Sequence, residues 1–518
     1  MEKYLTEKNK KIILLIVKVM SILACCFFLR RVFTNMDRHS GTFLNVYIIV
    51  FVLACFCVLL YAYSCFRKVK TERMFLVIAG LFGTILMILL PVRVAPDETK
   101  HAMTSYKISD WILQVNKPSD DFFCMRQCDV DMFANDWNLE WDPSLQSYEE
   151  YYEKILATNE NTELVEMDLS MGLDSSYLAY TFSSLGITVG RVLGLNAFMT
   201  LMIGRIFNFV MYLLMIYYAI KIIPIGKQLM ATIALFPVAL QQGMSYSYDS
   251  PIIAACLSLI ACAMHFYYQG LDGVKHKKIF CFMWLLLALF IIYVKSHAYI
   301  FVSLLSAIAI LKYFGCLNKT VMKWIYRIIL VIVLCIVVIG ICDKFIGIPK
   351  LMTEDTTAEI YSFAWVINHP YLTACLYLNT FIQLGSFYYT TMISAALGWL
   401  NLMMPYKVLF VYSCILVFNL MKRDNEKYEM DGVLRFFSCG VFVVTLLCIM
   451  LGLLIGWTPV GQGTVGGVQG RYLIPVVFLL LIAFRMNKIT IPNKLDILCN
   501  AGMICGLLSV MNVLLNRF

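Results

Sequence analysis

Long apolar runs separated by short polar loops follow one another along most of the chain. A helix needs about 20 mainly apolar residues to cross a lipid bilayer. The runs lack the strict alternation that marks strands, and lipid admits only helices or closed barrels. We therefore predict an all-α, polytopic transmembrane helical bundle with about 13 spans. The predicted spans are residues 12–29, 43–65, 74–92, 198–221, 228–242, 249–268, 278–294, 297–314, 324–342, 404–421, 434–456, 471–486 and 494–515.

The basic residues predict the side of the membrane on which each loop lies. Lys and Arg are enriched in cytoplasmic loops, so a cytoplasmic N-terminus accounts for most of the basic loops. These loops are residues 67–73, 275–278, 312–327 and 485–494. A basic cluster at Arg30, Arg31 and Arg38 disagrees with this orientation. The first run is too long for a signal peptide and no small-residue cleavage site follows it, so we interpret it as an uncleaved span.

Two polar stretches are predicted to lie outside the cytoplasm. The larger is residues 96–197, whose last part, YLAYTFSSLGITVGRVLGLN, mixes polar and apolar positions as an interfacial helix does. The second is about residues 343–403, and a span at 369–395 within it would reverse the side of every later loop. We divide the chain into two extra N-terminal helices, 1–72, and one membrane domain, 73–518.

Composition supports a membrane protein and excludes a nucleic-acid-binding one. The chain is 61% hydrophobic and 14% charged, with a mean hydropathy of +0.77, whereas a soluble domain has about 25% charged residues. The net charge of +9 conceals an acidic stretch, residues 96–176, with 18 acidic and 5 basic residues. The other Lys and Arg residues lie in short loops between apolar runs, which is typical of cytoplasmic loops.

Most of the 19 cysteines lie inside apolar runs, where they act as small apolar side chains. Cys124 and Cys128 differ because they share a polar loop. Their spacing allows either a local disulfide or two thiols, and the sequence does not decide between them. The cysteine spacing elsewhere does not match a zinc site.

The segment PDETKH, residues 96–101, follows an apolar run directly. If a helix starts at Asp97, then Asp97, Glu98 and His101 share one of its faces. Carboxylates in this arrangement can bind a divalent cation such as Mg²⁺ or Mn²⁺, or act as a general base. The alternative is structural, because Asp97 after a proline also suits a helix cap and Glu98 the positive end of the helix.

The segment GVQGRYLIP, residues 467–475, lies at the outer end of a predicted span. Arg471 in it would sit at the level of the lipid headgroups, where a guanidinium can bind a phosphate with two hydrogen bonds. Alternatively, Arg471 only anchors the span end. The glycines before it permit tight turns or a close approach of the backbone to a ligand.

Isolated ionisable residues lie at other predicted outer span ends: Arg205, Asp249 in SYSYD, and Lys295 with His297. Each is a functional candidate because charge at membrane depth is costly, or else a boundary residue in contact with water. The predicted topology places all of them, with PDETKH and Arg471, on the outer side. The sequence lacks a P-loop, a G-x-S-x-G elbow and an H-E-x-x-H pair, so ATP hydrolysis by this chain is not expected.

Together these motifs resemble a group of bacterial multi-pass membrane proteins with a domain of unknown function, related to the GT-C glycosyltransferases. The resemblance extends from about residue 75 to the end. It rests on PDETKH, SYSYD, a K-x-x-x-Y element from Lys295 to Tyr299, LGWLNLMMP at residues 397–405, and GVQGRYLIP. The combination of PDE-x-x-H with QGRY is its most specific part.

The resemblance implies a reaction at the outer face of the membrane. GT-C enzymes transfer a sugar from a polyprenyl-phosphate donor to an acceptor, using an acidic motif in the first outer loop. Asp97 and Glu98 match that motif as catalytic residues or, with His101, as metal ligands. Basic residues then hold the donor phosphate. We expect Arg471, Arg205 and Lys295 in that role, and His101, Asp249, Gln469 and Tyr472 as supporting residues.

We therefore expect a glycosyltransferase of the cell membrane that extends a cell-surface glycan, with its active site outside the cytoplasm. Two alternatives stay open: a transporter or flippase of lipid-linked saccharides, and a non-catalytic partner in polysaccharide assembly. The sequence does not identify the sugar, the acceptor, the metal requirement, the oligomeric state or the role of the first two helices.

Overall fold

The structure is a computed structural model, and it describes residues 7–34, 41–115, 122–134, 161–168, 176–294, 298–317, 319–347 and 357–516. Helices dominate these ranges. The helices are α1 (Glu7–Phe33), α2 (Gly41–Phe66), α3 (Thr71–Leu89), α4 (Glu98–Leu113), α5 (Gln127–Ala134), α6 (Thr181–Val192), α7 (Ala197–Ile222), α8 (Lys227–Ala234), α9 (Pro237–Met244), α10 (Asp249–Gln269), α11 (Lys277–Tyr293), α12 (Leu304–Tyr313), α13 (Lys319–Phe345), α14 (Phe363–Asn368), α15 (Pro370–Ile393), α16 (Tyr406–Asn419), α17 (Gly432–Trp457), α18 (Ile474–Ala483) and α19 (Asp496–Leu515).

Strands in these ranges form short pairs only, and none of the pairs closes into a barrel. The pairs are β1 (Phe122–Arg126) with β2 (Leu164–Asp168), antiparallel; β3 (Ala396–Leu397) with β4 (Leu402–Met403), antiparallel; and β5 (Met421–Arg423) with β6 (Met486–Ile491), parallel. Turns of 3₁₀ helix lie at residues 177–180, 300–303, 470–473 and 493–495.

Eight of the described helices are long and apolar enough to cross a membrane. They are Lys11–Phe33, Phe43–Phe66, Thr71–Leu89, Ala197–Ile222, Asp249–Gln269, Thr320–Phe345, Gly432–Trp457 and Asn493–Leu515. Three shorter apolar helices cover Ile300–Tyr313, Tyr406–Asn419 and Gly470–Ala483. The prediction of a helical membrane protein is confirmed, while the number of spans stays a prediction.

The predicted span 228–242 is not one helix but two, α8 and α9, of eight residues each. Pro237 begins the second, because its ring blocks a helix that runs through it. A break leaves carbonyls without helical partners, and a break in a membrane helix is tolerated where neighbours supply them. Here Tyr212 Oη donates to the carbonyl of Ala234 at 2.8 Å, and Tyr412 Oη to that of Leu235 at 2.7 Å.

Residues 370–393, within the second stretch predicted to lie outside, form a continuous helix of 24 residues, α15. At 1.5 Å per residue it is roughly 36 Å long, which suffices to cross a bilayer. Thr, Asn and Gln residues lower its mean hydropathy, which is why its pattern did not indicate a span. The topology after residue 343 therefore stays a prediction.

Two compact units make up the chain, one of residues 1–258, 393–427 and 486–518, the other of residues 259–392 and 428–485. In the first unit α1 packs against α2 and α19, and α19 also packs against α3 and α16. Tyr61 Oη of α2 donates to the carbonyl of Ile497 at 3.1 Å. The two N-terminal helices are thus integral to the first unit.

The second unit is built on α17, which packs against α18. Asp431 caps α17: its carboxylate accepts the N–H of Leu434 at 2.8 Å, the hydroxyl of Tyr267 at 2.7 Å and Lys312 Nζ at 3.1 Å. Lys312 Nζ also lies 3.6 Å from the centre of the Tyr267 ring. An acidic N-cap in contact with a cation fixes this helix start.

In the first unit, α6 and α7 pack at backbone contact through a glycine pair four residues apart. A Cβ at Gly186 would lie 2.6 Å from the carbonyl oxygen of Ile203, and one at Gly190 2.8 Å from the Cα of Thr200. Small residues at this spacing let two helices approach closely. α6 also exposes the apolar side chains Phe182, Leu185, Val189 and Val192. An exposed apolar face suits the interfacial position that the sequence predicts.

Candidate functional site

The acidic motif lies in the first unit, where a tight loop joins α3 to α4. Pro91 prevents α3 from continuing, and α4 begins at Glu98, two residues after Pro96. Two non-glycine residues of this loop have left-handed backbones, Arg93 (φ 89°) and Asp97 (φ 57°). Such conformations cost on the order of 1–3 kcal/mol and persist where the surroundings hold them.

Glu98 holds the loop in place from the inside. Its carboxylate is fully buried and forms an ion pair with Arg205 of α7, with Nε to Oε1 at 2.8 Å and Nη2 to Oε2 at 2.6 Å. The carboxylate also accepts the backbone N–H of Arg93 at 2.9 Å, of Ala95 at 3.4 Å and of Tyr246 at 3.1 Å. A buried charge with this many donors is neutralised and held in one position.

Arg205 completes a clamp on this loop, which consists of the buried Glu98–Arg205 ion pair and its hydrogen bonds to the loop backbone. Nη1 donates to the carbonyl of Leu90 at 2.6 Å, and Nη2 to that of Pro91 at 2.7 Å, both in the turn after α3. Its side chain is fully buried. We predicted that Arg205 binds the donor phosphate. The structure directs its guanidinium at Glu98 and these carbonyls.

Asp97 is half-buried at the N-cap position of α4. Its side chain makes no capping hydrogen bond, and its backbone is left-handed rather than extended, the usual conformation of an N-cap. The structural interpretation of Asp97 as a helix cap therefore does not account for its side chain. The contacts of Glu98, the next residue, fix the backbone beside Asp97.

His101 lies one turn further along α4, in an aromatic cluster. Its Nδ1 lies 2.7 Å from the hydroxyl of Tyr180, and its ring meets that of Tyr248 edge-on at 4.8 Å between centres. Asp249, in the first turn of α10, is buried, and its N–H bonds to Ser247 Oγ at 3.1 Å. The segment SYSYD thus joins PDETKH, since the N–H of Tyr246 binds Glu98 and the Tyr248 ring contacts His101.

Glu98, one of the predicted metal ligands, has other partners in the structure. The buried carboxylate of Glu98 is occupied by the guanidinium of Arg205 and three N–H groups, so a cation there would face a positive charge. Among the described residues, no three His, Cys, Asp or Glu side chains come together as metal ligands. A metal held by Asp97, Glu98 and His101 stays a prediction, and no step is derived through it.

The sequence did not identify Gln241, which ties a further motif to this unit. Its Oε1 accepts the N–H of Gly398 at 2.8 Å and its Nε2 donates to the carbonyl of Gly398 at 3.3 Å. Gly398 lies in LGWLNLMMP and has a left-handed backbone (φ 62°). Two adjacent glutamines, Gln241 and Gln242, inside a predicted span were the available signal.

Two buried charge pairs lie among the described residues between 98 and 192, and the sequence did not predict their partners. Arg191 of α6 binds Asp110 of α4 at 2.8 Å, and Arg126 binds Asp129 at 2.7 Å. Tyr106 donates its hydroxyl to Asp129. Burial, together with the Asp129 carboxylate, raises the pKa of Tyr106 well above its usual value, so this hydroxyl stays protonated.

Cys124, in β1, donates its backbone N–H to the Asp110 carboxylate at 2.6 Å. Cys124 and Cys128 are both buried.

The QGRY motif lies in the second unit, in the 3₁₀ turn at 470–473. Arg471 is buried, and its Nη2 donates to Tyr472 Oη at 3.3 Å. Tyr299, from the K-x-x-x-Y element, donates its hydroxyl to the carbonyl of Tyr472 at 2.8 Å, so two motifs meet here. Lys295 and His297 lie outside the described residues.

Close packing explains why position 470, in QGRY, is a glycine. A Cβ there would lie 2.2 Å from the carbonyl oxygen of Tyr388 and 2.3 Å from the backbone N of Met392, both in α15. We expect Gly470→Ala to destabilise the protein by about 2 kcal/mol, since backbone atoms cannot move aside as side chains do. SDS titration of the purified protein measures the change. Gly456→Ala, with nothing within 4 Å of its Cβ, is the control, and equal losses would contradict the argument.

Comparison with known proteins supplies a family. Residues 81–480 match the family described as "Predicted membrane protein (DUF2142)". The chain belongs to this family. No curated protein and no solved structure matches the chain.

The family region contains both motif-bearing sites. PDETKH, SYSYD, LGWLNLMMP and QGRY all lie within residues 81–480, whereas α1, α2 and α19 lie outside it. The DUF2142 description names a membrane protein and no activity, so the chemistry has to be argued from the residues. The first unit contains the Asp97 carboxylate beside the Glu98–Arg205 ion pair. The second contains Arg471, which is buried and bonds to Tyr472.

Proposed function

We propose that this protein transfers a sugar from a polyprenyl-phosphate donor to a glycan acceptor at the outer face of the cell membrane. In the proposed step, the acceptor oxygen bonds to C1 of the sugar while the bond from C1 to the phosphate oxygen breaks. The acceptor proton passes to a carboxylate, and the polyprenyl phosphate leaves with the bonding electron pair. Attack from the side opposite the phosphate inverts the configuration at C1.

The observation that carries the proposal is the way Asp97 is held. The Glu98–Arg205 clamp ties down the loop on both sides of it, through Leu90, Pro91, Arg93 and Ala95. Strained left-handed backbones, such as those of Arg93 and Asp97, are concentrated at functional sites, where they fix a reacting group. A general base must be fixed within hydrogen-bonding reach of the proton that it removes.

The proposed roles follow from these contacts. Asp97 is the general base, and Glu98 and Arg205 are positioning residues. His101 and Asp249 are supporting residues, held by Tyr180 and Ser247 respectively. Arg471 is assigned to the donor phosphate from the resemblance to the GT-C enzymes, and Gln469 and Tyr472 support it.

The proposed location explains why a membrane protein would carry this chemistry. The polyprenyl chain of the donor requires a lipid environment, whereas the sugar and the glycan acceptor require water. The orientation argued from Lys and Arg puts the N-terminus in the cytoplasm and PDETKH outside. An accessibility tag inserted between residues 141 and 160 should be labelled from outside the intact cell.

Asp97→Asn is the test of the proposed base. We expect it to lower the rate of sugar transfer by about 10²–10⁴-fold, the usual contribution of a general base. Its stability should be unchanged, because Asn adopts the left-handed backbone as readily as Asp does. The assay is turnover of a polyprenyl-phosphate sugar by the purified protein.

Asp131→Asn is the matched control, since Asp131 is an exposed carboxylate of the same outer segment. It should retain the rate of the unsubstituted protein. Unchanged transfer by Asp97→Asn would reject the catalytic assignment. Donor binding without turnover in the unsubstituted protein would favour the flippase, and neither binding nor turnover would favour the assembly partner.

A further inference from the structure

The buried polar atoms near the QGRY turn that lack a hydrogen-bond partner in the structure include the hydroxyl of Tyr388 and Oε1 of Gln469. Tyr388 is only 2% exposed. Buried polar atoms are nearly always hydrogen-bonded, because leaving one unpaired forfeits its interaction with water. Because the backbones of these two residues lie close together, the unpaired hydroxyl and the unpaired amide oxygen call for a common explanation.

Contacts of Gly470 bring the two residues together. Its N–H donates to Thr391 Oγ1 on α15 at 3.2 Å. Its Cα is pressed against the backbone of α15, with the Tyr388 carbonyl 2.2 Å from where a Cβ would lie. Gln469 precedes this glycine and Arg471 follows it. The QGR segment therefore crosses α15 at Tyr388, and all these residues belong to the second unit.

The hydrogen-bonding capacities of the three side chains define the ligand. The Gln469 oxygen can only accept, the Arg471 guanidinium can only donate, and the Tyr388 hydroxyl can do either. A molecule that satisfies all three carries an anion and, beside it, a hydroxyl donor. A plain alkyl phosphate offers the anion but not the hydroxyl, whereas a glycosyl phosphate offers both.

We propose that Tyr388 and Gln469 form a subsite, next to Arg471, that binds the hydroxyl groups of the sugar in a glycosyl phosphate. The assignment of a sugar phosphate rests on the proposed function. The subsite itself rests on the two unpartnered atoms and on the contact of Gly470 with α15. Tyr388 and Gln469 would then contribute to the choice of sugar, while Arg471 binds the phosphate shared by every such donor.

The test compares binding of two sets of short-chain probes to the full chain in detergent. One probe is farnesyl phosphate, and the others are farnesyl phosphate carrying glucose, galactose or mannose. Tyr388→Phe and Gln469→Leu should each weaken the preferred sugar-bearing probe about tenfold, the effect of losing one hydrogen bond, and farnesyl phosphate less than twofold. Arg471→Lys should weaken every probe. Tyr389 is the exposed neighbour on α15, and Tyr389→Phe should bind farnesyl phosphate and the sugar-bearing probes as the unsubstituted protein does.

Stability is the second readout. Because Tyr388→Phe removes a hydroxyl that has no protein partner, the unliganded variant should unfold at the same temperature as the unsubstituted protein or higher. A lowered unfolding temperature with unchanged affinities would show a structural tyrosine and overturn the proposal. Equal weakening of all probes, or no preference of the unsubstituted protein for any sugar, would overturn it as well.

The outcomes separate this subsite from the proposed reaction. Asp97→Asn should bind every probe as the unsubstituted protein does, because Asp97 is proposed to act in catalysis and not in donor binding. If sugar-dependent binding is lost in Tyr388→Phe and no transfer occurs with any acceptor, the subsite stands and the proposed function fails. If transfer occurs and Tyr388→Phe leaves binding unchanged, the function stands and the subsite fails.

Discussion

Arg205→Met should destabilise the protein by roughly 3–5 kcal/mol, because it leaves the Glu98 carboxylate charged and buried without its partner. Arg205 is fully buried, and the substitution also removes the donors to the carbonyls of Leu90 and Pro91. The loop that carries Asp97 should then lose its fixed conformation. The free energy of unfolding from SDS titration in mixed micelles measures the loss.

The double variant Glu98→Gln with Arg205→Met tests the cause. A glutamine keeps an oxygen for the N–H groups of Arg93, Ala95 and Tyr246 but removes the unpaired charge. It should therefore recover at least half of the loss seen in Arg205→Met. Lys100→Met, which removes an exposed charge from the same end of α4, should stay within about 0.5 kcal/mol of the unsubstituted protein. A double variant less stable than Arg205→Met would refute the buried-charge explanation.

Gly186→Leu should cost about 3 kcal/mol by forcing α6 away from α7. The added Cβ would lie 2.6 Å from the carbonyl oxygen of Ile203 and 2.7 Å from the Cα of Gly204, and both are backbone atoms of a helix. Because the contact is between backbones, the helices must separate for the side chain to fit. The buried pair of Arg191 and Asp110, which joins α6 to α4, should weaken with it.

Gly80→Leu is the matched control, since Gly80 is a helical glycine with nothing within 4 Å of its Cβ. Its stability should be unchanged or slightly higher, because leucine is the better helix former. Unfolding free energies of the two variants, measured in parallel, decide the matter. Similar losses at Gly186 and Gly80 would show that helix propensity, and not close packing, sets the cost.

The apolar runs predicted most of the long helices because each run exceeds the length that a bilayer requires. The apolar runs were a poorer guide where length and composition disagree. Residues 228–242 are apolar, but Pro237 divides them, and residues 370–393 form one helix despite their polar side chains. A hydropathy average records neither a proline ring nor a carbonyl capped by a distant tyrosine such as Tyr412.

The sequence identified residues of the candidate site one by one, but it did not show which of them bind each other. Glu98 and Arg205 were both candidates, yet 107 positions separate them and nothing local indicates that they bind each other. Local spacing indicated that Asp97, Glu98 and His101 share a helix start, which the structure has. It also suggested a common ligand, whereas Glu98 faces inward to α7 and His101 contacts Tyr180. Long-range partners such as Gln241 for Gly398 have no signature in a single sequence.

The position of α19 bears on how this protein can be shortened. The family match ends at residue 480, before α19 begins, yet α19 packs against α1, α3 and α16 and buries side chains such as Met503, Ile504 and Leu508. Trimming the chain to the matched region would strip that apolar surface of its cover and remove one wall of the unit that holds Asp97. The first unit therefore extends beyond the matched residues at this end of the chain.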